Sequence, residues 1–123
     1  MPTRVPASFL GKRRSKFGAV PTEVDGHKFD SKIEARRYGE LKILQMAKQI
    51  TDLQVHPRWP LHVIKRDGDA EVIGHYEADF SYRTRSGFLV VEDVKSDPTK
   101  TPLYKRNRSH MAAQYGIQIT EIG

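Results

Sequence analysis

Asp79 and the run Asp93-Val94-Lys95, with thirteen residues between the two acids, are where this chain gathers groups able to do chemistry. Side chains alternate along a strand, so Asp93 and Lys95 share one face, about 6–7 Å apart. Asp79 falls in Tyr76-Glu77-Ala78-Asp79-Phe80, which only a short turn separates from the Asp93 segment, so the two carboxylates converge. Two anions on a mostly apolar sheet are unfavourable without a counter-charge. A hard divalent cation, Mg²⁺ or Mn²⁺, supplies one, because it prefers carboxylate oxygens and water. Such a site is suited to hydrolysing phosphate esters, with Lys95 positioning or deprotonating the attacking water or stabilising developing charge. Glu34 completes the set if its helix packs on this face, although Ser31-Lys32-Ile33-Glu34 also reads as a plain capping box. Glu77 shares a face with Asp79 and is a candidate secondary ligand, whereas Glu92 points away from Asp93 and reads as structural.

The elements that must position these groups follow from periodicity and breakers. Residues 1–24 are rich in Pro, Gly and basic residues without periodicity, and read as a flexible arm; residues 25–123 read as one domain. Val24 to Phe29 reads as a turn and a short extended piece. A helix follows Ser31 to about Lys48, and Ile50 to Pro60 reads as irregular because of Pro57 and Pro60. Strands are predicted over 61–65, 71–82 and 88–95, joined by the Gly68 and Gly87 turns into an antiparallel meander. The third begins Phe88-Leu89-Val90-Val91, an unalternating apolar run that predicts a central strand buried on both faces. Thr101-Pro102 opens a second helix that Gly116 stops. Residues 117–122 close as a strand parallel to the third. The expected fold is α/β (α+β), in the order αβββαβ, with a mixed central sheet flanked by helices.

Asp79, thirteen residues, then Asp93-x-Lys95, set in this element order, resembles the PD-(D/E)xK nuclease signature and its restriction-endonuclease-like core. Phe29-Asp30-Ser31-Lys32-Ile33-Glu34-Ala35 resembles the helix-one segment of transposase-A-like and phage members, whose extra catalytic acid matches Glu34. The nearest resemblance is to a family of small phage proteins filed as a domain of unknown function. It is carried by Phe29 to Glu34, Tyr76 to Phe80 and Val91 to Lys95, within residues 17–122. Ala78 stands where the motif has Pro, and Ser96 where Gly is expected. The resemblance implies a metal-dependent DNA endonuclease acting in phage recombination, repair or packaging. Glu34, Asp79, Asp93 and Lys95 would be catalytic, the three acids holding Mg²⁺ or Mn²⁺. It implies cytoplasmic action, in the host if the chain is phage-encoded.

Charge agrees with a polyanionic partner. The net charge is +6, and Arg4, Lys12, Arg13, Arg14 and Lys16 occur before any acid. Arg13, Arg14 and Lys16 on the arm, with Lys100, Lys105 and Arg108 at the second helix, are candidate DNA contacts. No base-reading element is evident, so selectivity for structure, such as branched, Holliday-junction or single-stranded DNA, is expected over a defined sequence. Junction resolution would need two active sites and hence a homodimer. The chain has no cysteine, no phosphate-binding loop for a nucleotide cofactor and no apolar run long enough for a membrane span. His27, His56, His62, His75 and His110 form no metal-binding spacing and read as surface or partly buried residues. The competing function is a non-catalytic nucleic-acid-binding accessory module, which would need the basic residues but not the acids.

Overall fold

A computed structural model describes residues 20–123, and the chain divides into two units, Met1–Ala35 and Arg36–Gly123. In the first, β1 (Thr22–Val24) and β2 (His27–Phe29) pair as an antiparallel hairpin. Asp25 and Gly26 both take positive φ, 53° and 79°, which a tight hairpin turn requires. Residues 22–24, read from sequence as the end of the arm, are thus a strand. Helix α1 (Lys32–Met46) starts in this unit. Ser31 Oγ accepts the Glu34 N–H at 3.2 Å, and the Glu34 carboxylate accepts the Asp30 N–H at 3.3 Å. Glu34 is therefore a capping acid whatever else it does.

The second unit is a mixed α+β arrangement. A four-stranded sheet runs in the order β3 (Ile50–Val55), β6 (Phe80–Thr84), β7 (Leu89–Val94), β8 (Ile119–Ile122). The β3–β6 and β6–β7 pairs are antiparallel and β7–β8 is parallel. Helix α2 (Pro102–Tyr115) is the crossover that makes the last strand parallel, as expected. Its start is capped by Thr101, which accepts the Tyr104 N–H at 3.1 Å, and its stop is Gly116 at φ 68°. A separate antiparallel ribbon is formed by β4 (Arg58–Ile64) and β5 (Ala70–Glu77).

Three expectations change. The segment 50–60 is mostly strand, because Pro57 lies in the connection and Pro60 sits on an edge, where its missing N–H is tolerated. That edge is closed by α2: Gln114 accepts the His62 N–H at 2.9 Å and donates to the Pro60 carbonyl at 3.2 Å. The expected strand 71–82 is two strands that exchange partners at Ala78-Asp79. Here Ala78 donates to Pro57 O (3.0 Å) and Asp79 to Glu92 O (3.1 Å). A change of partner leaves side-chain alternation intact, so periodicity does not reveal it, and the meander becomes two hairpins. In β7 the buried stretch is Val91, Glu92 and Asp93, while Phe88 and Leu89 are 72% and 40% exposed. The strand is central, but its apolar start is open and its acidic end is inside.

The sheet lies between the two helices. On one face, α1 buries Tyr38 and Leu41, and the Tyr38 ring stacks on Phe80 at 6.4 Å. On the other, Met111 and Tyr104 of α2 join Leu61, Tyr76, Ala78 and Val91 in one core. Met111 is fully buried, so Met111→Ala would cost about 2–5 kcal/mol. Among the described residues, no helix is long and apolar enough to cross a membrane.

Candidate active site

The pleat of β7 sends Glu92 and Asp93 to opposite faces, and both are buried, at 1% and 3% exposure. Glu92 faces α1. Arg37 grips it with two parallel bonds, Nε to Oε1 at 2.8 Å and Nη2 to Oε2 at 2.6 Å. Tyr82 O–H also donates to Glu92, and burial with that bond pushes its phenol up to about 12. The guanidinium of Arg37 is raised above its ordinary range by its bond to Glu92. This acid is fully engaged, which agrees with its reading as structural.

Asp93 faces α2 and the β5 side. Its carboxylate accepts the Tyr76 O–H and, at 2.9 Å, the Asp79 N–H. Asp79 returns the bond, its Oδ2 accepting the Val94 N–H at 2.7 Å. The two acids are interlocked across adjacent strands, and the partner exchange at Asp79 turns its carboxylate toward β7. Burial raises the Asp93 pKa, and the bonds from Tyr76 and Asp79 and the field of Lys95 lower it without cancelling that effect. Burial also raises the Tyr76 phenol, reinforced by Asp93, so Tyr76 stays a proton donor.

Lys95 shares the Asp93 face. Its ammonium lies 4.5 Å above the ring of Tyr104, and Arg108 stacks on the same ring at 5.5 Å. Tyr104 O–H donates to Glu121 at 2.8 Å. Glu121 also pairs with Arg108 at 2.5 Å and Lys100 at 3.2 Å. Its carboxyl is held down at about 2, first by the Tyr104 hydroxyl and then by these two bases. Burial, with the bond to Glu121, raises the Tyr104 phenol. Asp93, Lys95, Tyr76 and Tyr104 line a cleft of about 200 Å³ together with Thr101 and Asn107.

Asp79 and Asp93 are thus interlocked, and Lys95 lines the same cleft as Asp93. Glu34 belongs to the first unit and is described there. Glu77 lines the cleft but is exposed, with Arg58 3.9 Å away. Of the expected DNA contacts, Lys105 is exposed on α2, while Lys100 and Arg108 share Glu121 as a partner. Arg13, Arg14 and Lys16 lie outside the described residues. Sequence reading did not assign Tyr76, Tyr104 or His56. Tyr76 carried a signal, since it lies two residues before Ala78 on an inward-facing register. His56 carried none, because its neighbour Asp79 is brought to it only by the partner exchange.

Two carboxylates on one edge, one of them buried without a neutralising guanidinium, fit a hard divalent cation. Each oxygen engaged by an N–H or O–H keeps a second lone pair for a metal. Comparison with known proteins found no match among curated proteins or solved structures. Residues 14–120 match the family described as "Protein of unknown function (DUF1064)", and the chain belongs to that family.

Proposed function

We propose that this chain is a metal-dependent DNA endonuclease that hydrolyses phosphodiester bonds in branched or single-stranded DNA, in phage recombination, repair or packaging. The observation that carries the reading is the interlocked Asp79–Asp93 pair, with Asp93 and Lys95 lining one solvent-reaching cleft. A protein that only bound nucleic acid would gain nothing from turning two carboxylates toward phosphate. The likeness to PD-(D/E)xK nucleases adds support, since it assigns the same three residues.

In this reading Asp79 and Asp93 hold Mg²⁺ or Mn²⁺. The bound ion supplies electrostatic stabilisation of the charge that develops on the phosphate. Asp93 is pre-oriented by Tyr76 and by the Asp79 N–H, so little reorganisation is needed at the site. Lys95, steadied over Tyr104, donates a hydrogen bond to the attacking water and faces the growing negative charge. Glu34 is the additional acid that the likeness assigns to the first helix. Lys105, and the basic residues Arg13, Arg14 and Lys16, attract the DNA backbone, while Lys100 and Arg108 do so in exchange with Glu121.

The test is a panel of labelled single-stranded, duplex, flap and four-way-junction DNAs, incubated with Mg²⁺, Mn²⁺ or EDTA. Metal-dependent cutting that Lys95→Ala abolishes is the expected result. Binding without cutting of any substrate would favour the non-catalytic accessory module. A homodimer is expected if the junction is the preferred substrate, and sedimentation would show it.

A further inference from the structure

We propose that His56 is a ligand of this metal site beside Asp79, and that its imidazole turns the site's preference from Mg²⁺ toward Mn²⁺. The inference rests on the reading of Asp79 as a metal ligand. A His56 ring nitrogen and an Asp79 carboxylate oxygen lie within 4.8 Å of each other. Two coordination bonds of about 2.1 Å each bridge such a gap with a small side-chain rotation. Both residues are half-buried, so the pair is neither sealed nor freely solvated.

The placement of His56 is imposed by the fold. His56 and Pro57 are the whole connection between β3 and β4. His56 N donates to Asp79 O at 3.0 Å, and Ala78 N donates to Pro57 O at 3.0 Å. These bonds fasten the connection to the point where β5 gives way to β6. His56 takes φ 54° to make them, a left-handed conformation that is uncommon for a side chain of this kind. The imidazole is therefore delivered to the Asp79 carboxylate by backbone bonds on both sides.

The donor chemistry then decides the metal. Asp79 and Asp93 carry two negative charges, which match one divalent cation. Two carboxylates with water suit Mg²⁺, which takes oxygen ligands almost alone. An imidazole nitrogen suits transition-metal ions, and Mn²⁺, which shares the oxygen preference of Mg²⁺ but belongs to that series, tolerates it better than Mg²⁺ does. His56 therefore predicts that the site binds Mn²⁺ more tightly than Mg²⁺, and that this margin depends on the imidazole.

Electron paramagnetic resonance of Mn²⁺ bound to the intact protein tests this without reference to cleavage. The expected signal is hyperfine coupling from a histidine nitrogen, which changes on ¹⁵N-histidine labelling and vanishes in His56→Asn. Asn tolerates a left-handed backbone, and His56→Gln serves as a second variant; circular dichroism checks that both fold. The Mn²⁺-over-Mg²⁺ ratio should fall severalfold in both. Mn²⁺ binding with no nitrogen coupling, or coupling that survives in His56→Asn, overturns the role of His56 and leaves a carboxylate-only site. No Mn²⁺ binding by the unaltered protein overturns the inference together with the metal reading itself.

Discussion

Glu92 and Asp93 are consecutive, equally buried and chemically alike, yet the fold treats them in opposite ways. Glu92 meets a guanidinium that forks onto both its oxygens, and a tyrosine besides. Asp93 meets a tyrosine and a backbone N–H, and among the described residues no arginine or lysine pairs with it directly. Lys95, whose field reaches Asp93, lies over the Tyr104 ring instead. A buried carboxylate with a bidentate arginine is neutralised and becomes part of the scaffold. One held only by neutral donors keeps surplus negative charge and stays ready for an external cation. Alternation along one strand is thus enough to separate a lock from a site.

The largest effect should fall on the Asp93 side and on cleavage. Asp93→Asn is expected to lower metal-dependent cutting on the order of 10²–10³-fold, the scale for removing one electrostatic stabiliser, with the fold intact. Glu92→Gln should lower thermal stability and leave the rate per folded molecule nearly unchanged. Rates on the preferred DNA, normalised to the folded fraction, measure both. Equal losses of rate in the two variants would end the division of labour.

On the Glu92 side the effect is on stability. Arg37→Met strands a buried charge and should cost about 3–5 kcal/mol, a large share of the 5–15 kcal/mol typical of a domain. Arg37→Met combined with Glu92→Leu should restore most of that loss, because the uncompensated charge is gone. Urea unfolding of the single and double variants decides the point. A double variant as unstable as the single would mean that the pair contributes packing, not charge neutralisation.

Much of this contrast was legible from residue order. Asp79, Asp93 and Lys95 followed from spacing and alternation, and Glu92 was separated from Asp93 by the same alternation. The second helix and the parallel last strand followed from Thr101-Pro102, Gly116 and the length of the crossover. What periodicity could not carry was pairing. β3 is irregular in sequence, with Asp52 at positive φ and a bulge between Thr51 and Gln54, so its alternation is broken. The exchange at Ala78-Asp79 depends on long-range bonds to Pro57 and Glu92. The neighbours that exchange creates, His56 and Asp79, were invisible for the same reason. So was the tie of Lys100 and Arg108 to Glu121, which joins the segment before α2 and α2 itself to β8.

The Asp93 side can be sharpened through Lys95. Tyr104→Leu removes the ring beneath the ammonium, whereas Tyr104→Phe keeps the ring and removes only the hydroxyl, with its bond to Glu121 and its contact with Tyr76. A cation–π contact of about 0.5–2 kcal/mol corresponds to roughly 2- to 30-fold. The turnover number should fall by that factor in the Leu variant, with the Michaelis constant little changed, and stay close to the unaltered value in the Phe variant. An equal fall in both would assign the effect to the hydroxyl's contacts with Glu121 and Tyr76 instead of the ring.

The smallest effect concerns pH, and it sets Asp93 against its register partner on β8, Glu121. Glu121 has a folded pKa of about 2, below the ordinary carboxylate range, so its contribution to stability is present above that range and is lost as pH falls toward 2. Lys100 and Arg108 are partly exposed, so water and salt screen these pairs and the contribution is small. Asp93 has the opposite sign. Its pKa is raised by burial, so its contribution is fully present below the unfolded value and is lost as pH rises through the folded one. Metal-free Asp93→Asn should therefore gain stability at neutral pH and converge on the unaltered protein in acid. Glu121→Gln should lose stability at neutral pH and also converge near pH 2. Urea unfolding between pH 2 and 7, without metal, reads both curves. If Asp93→Asn lost stability at neutral pH, Asp93 would be a lock of the same kind as Glu92, and the contrast between the two faces would fail at its centre.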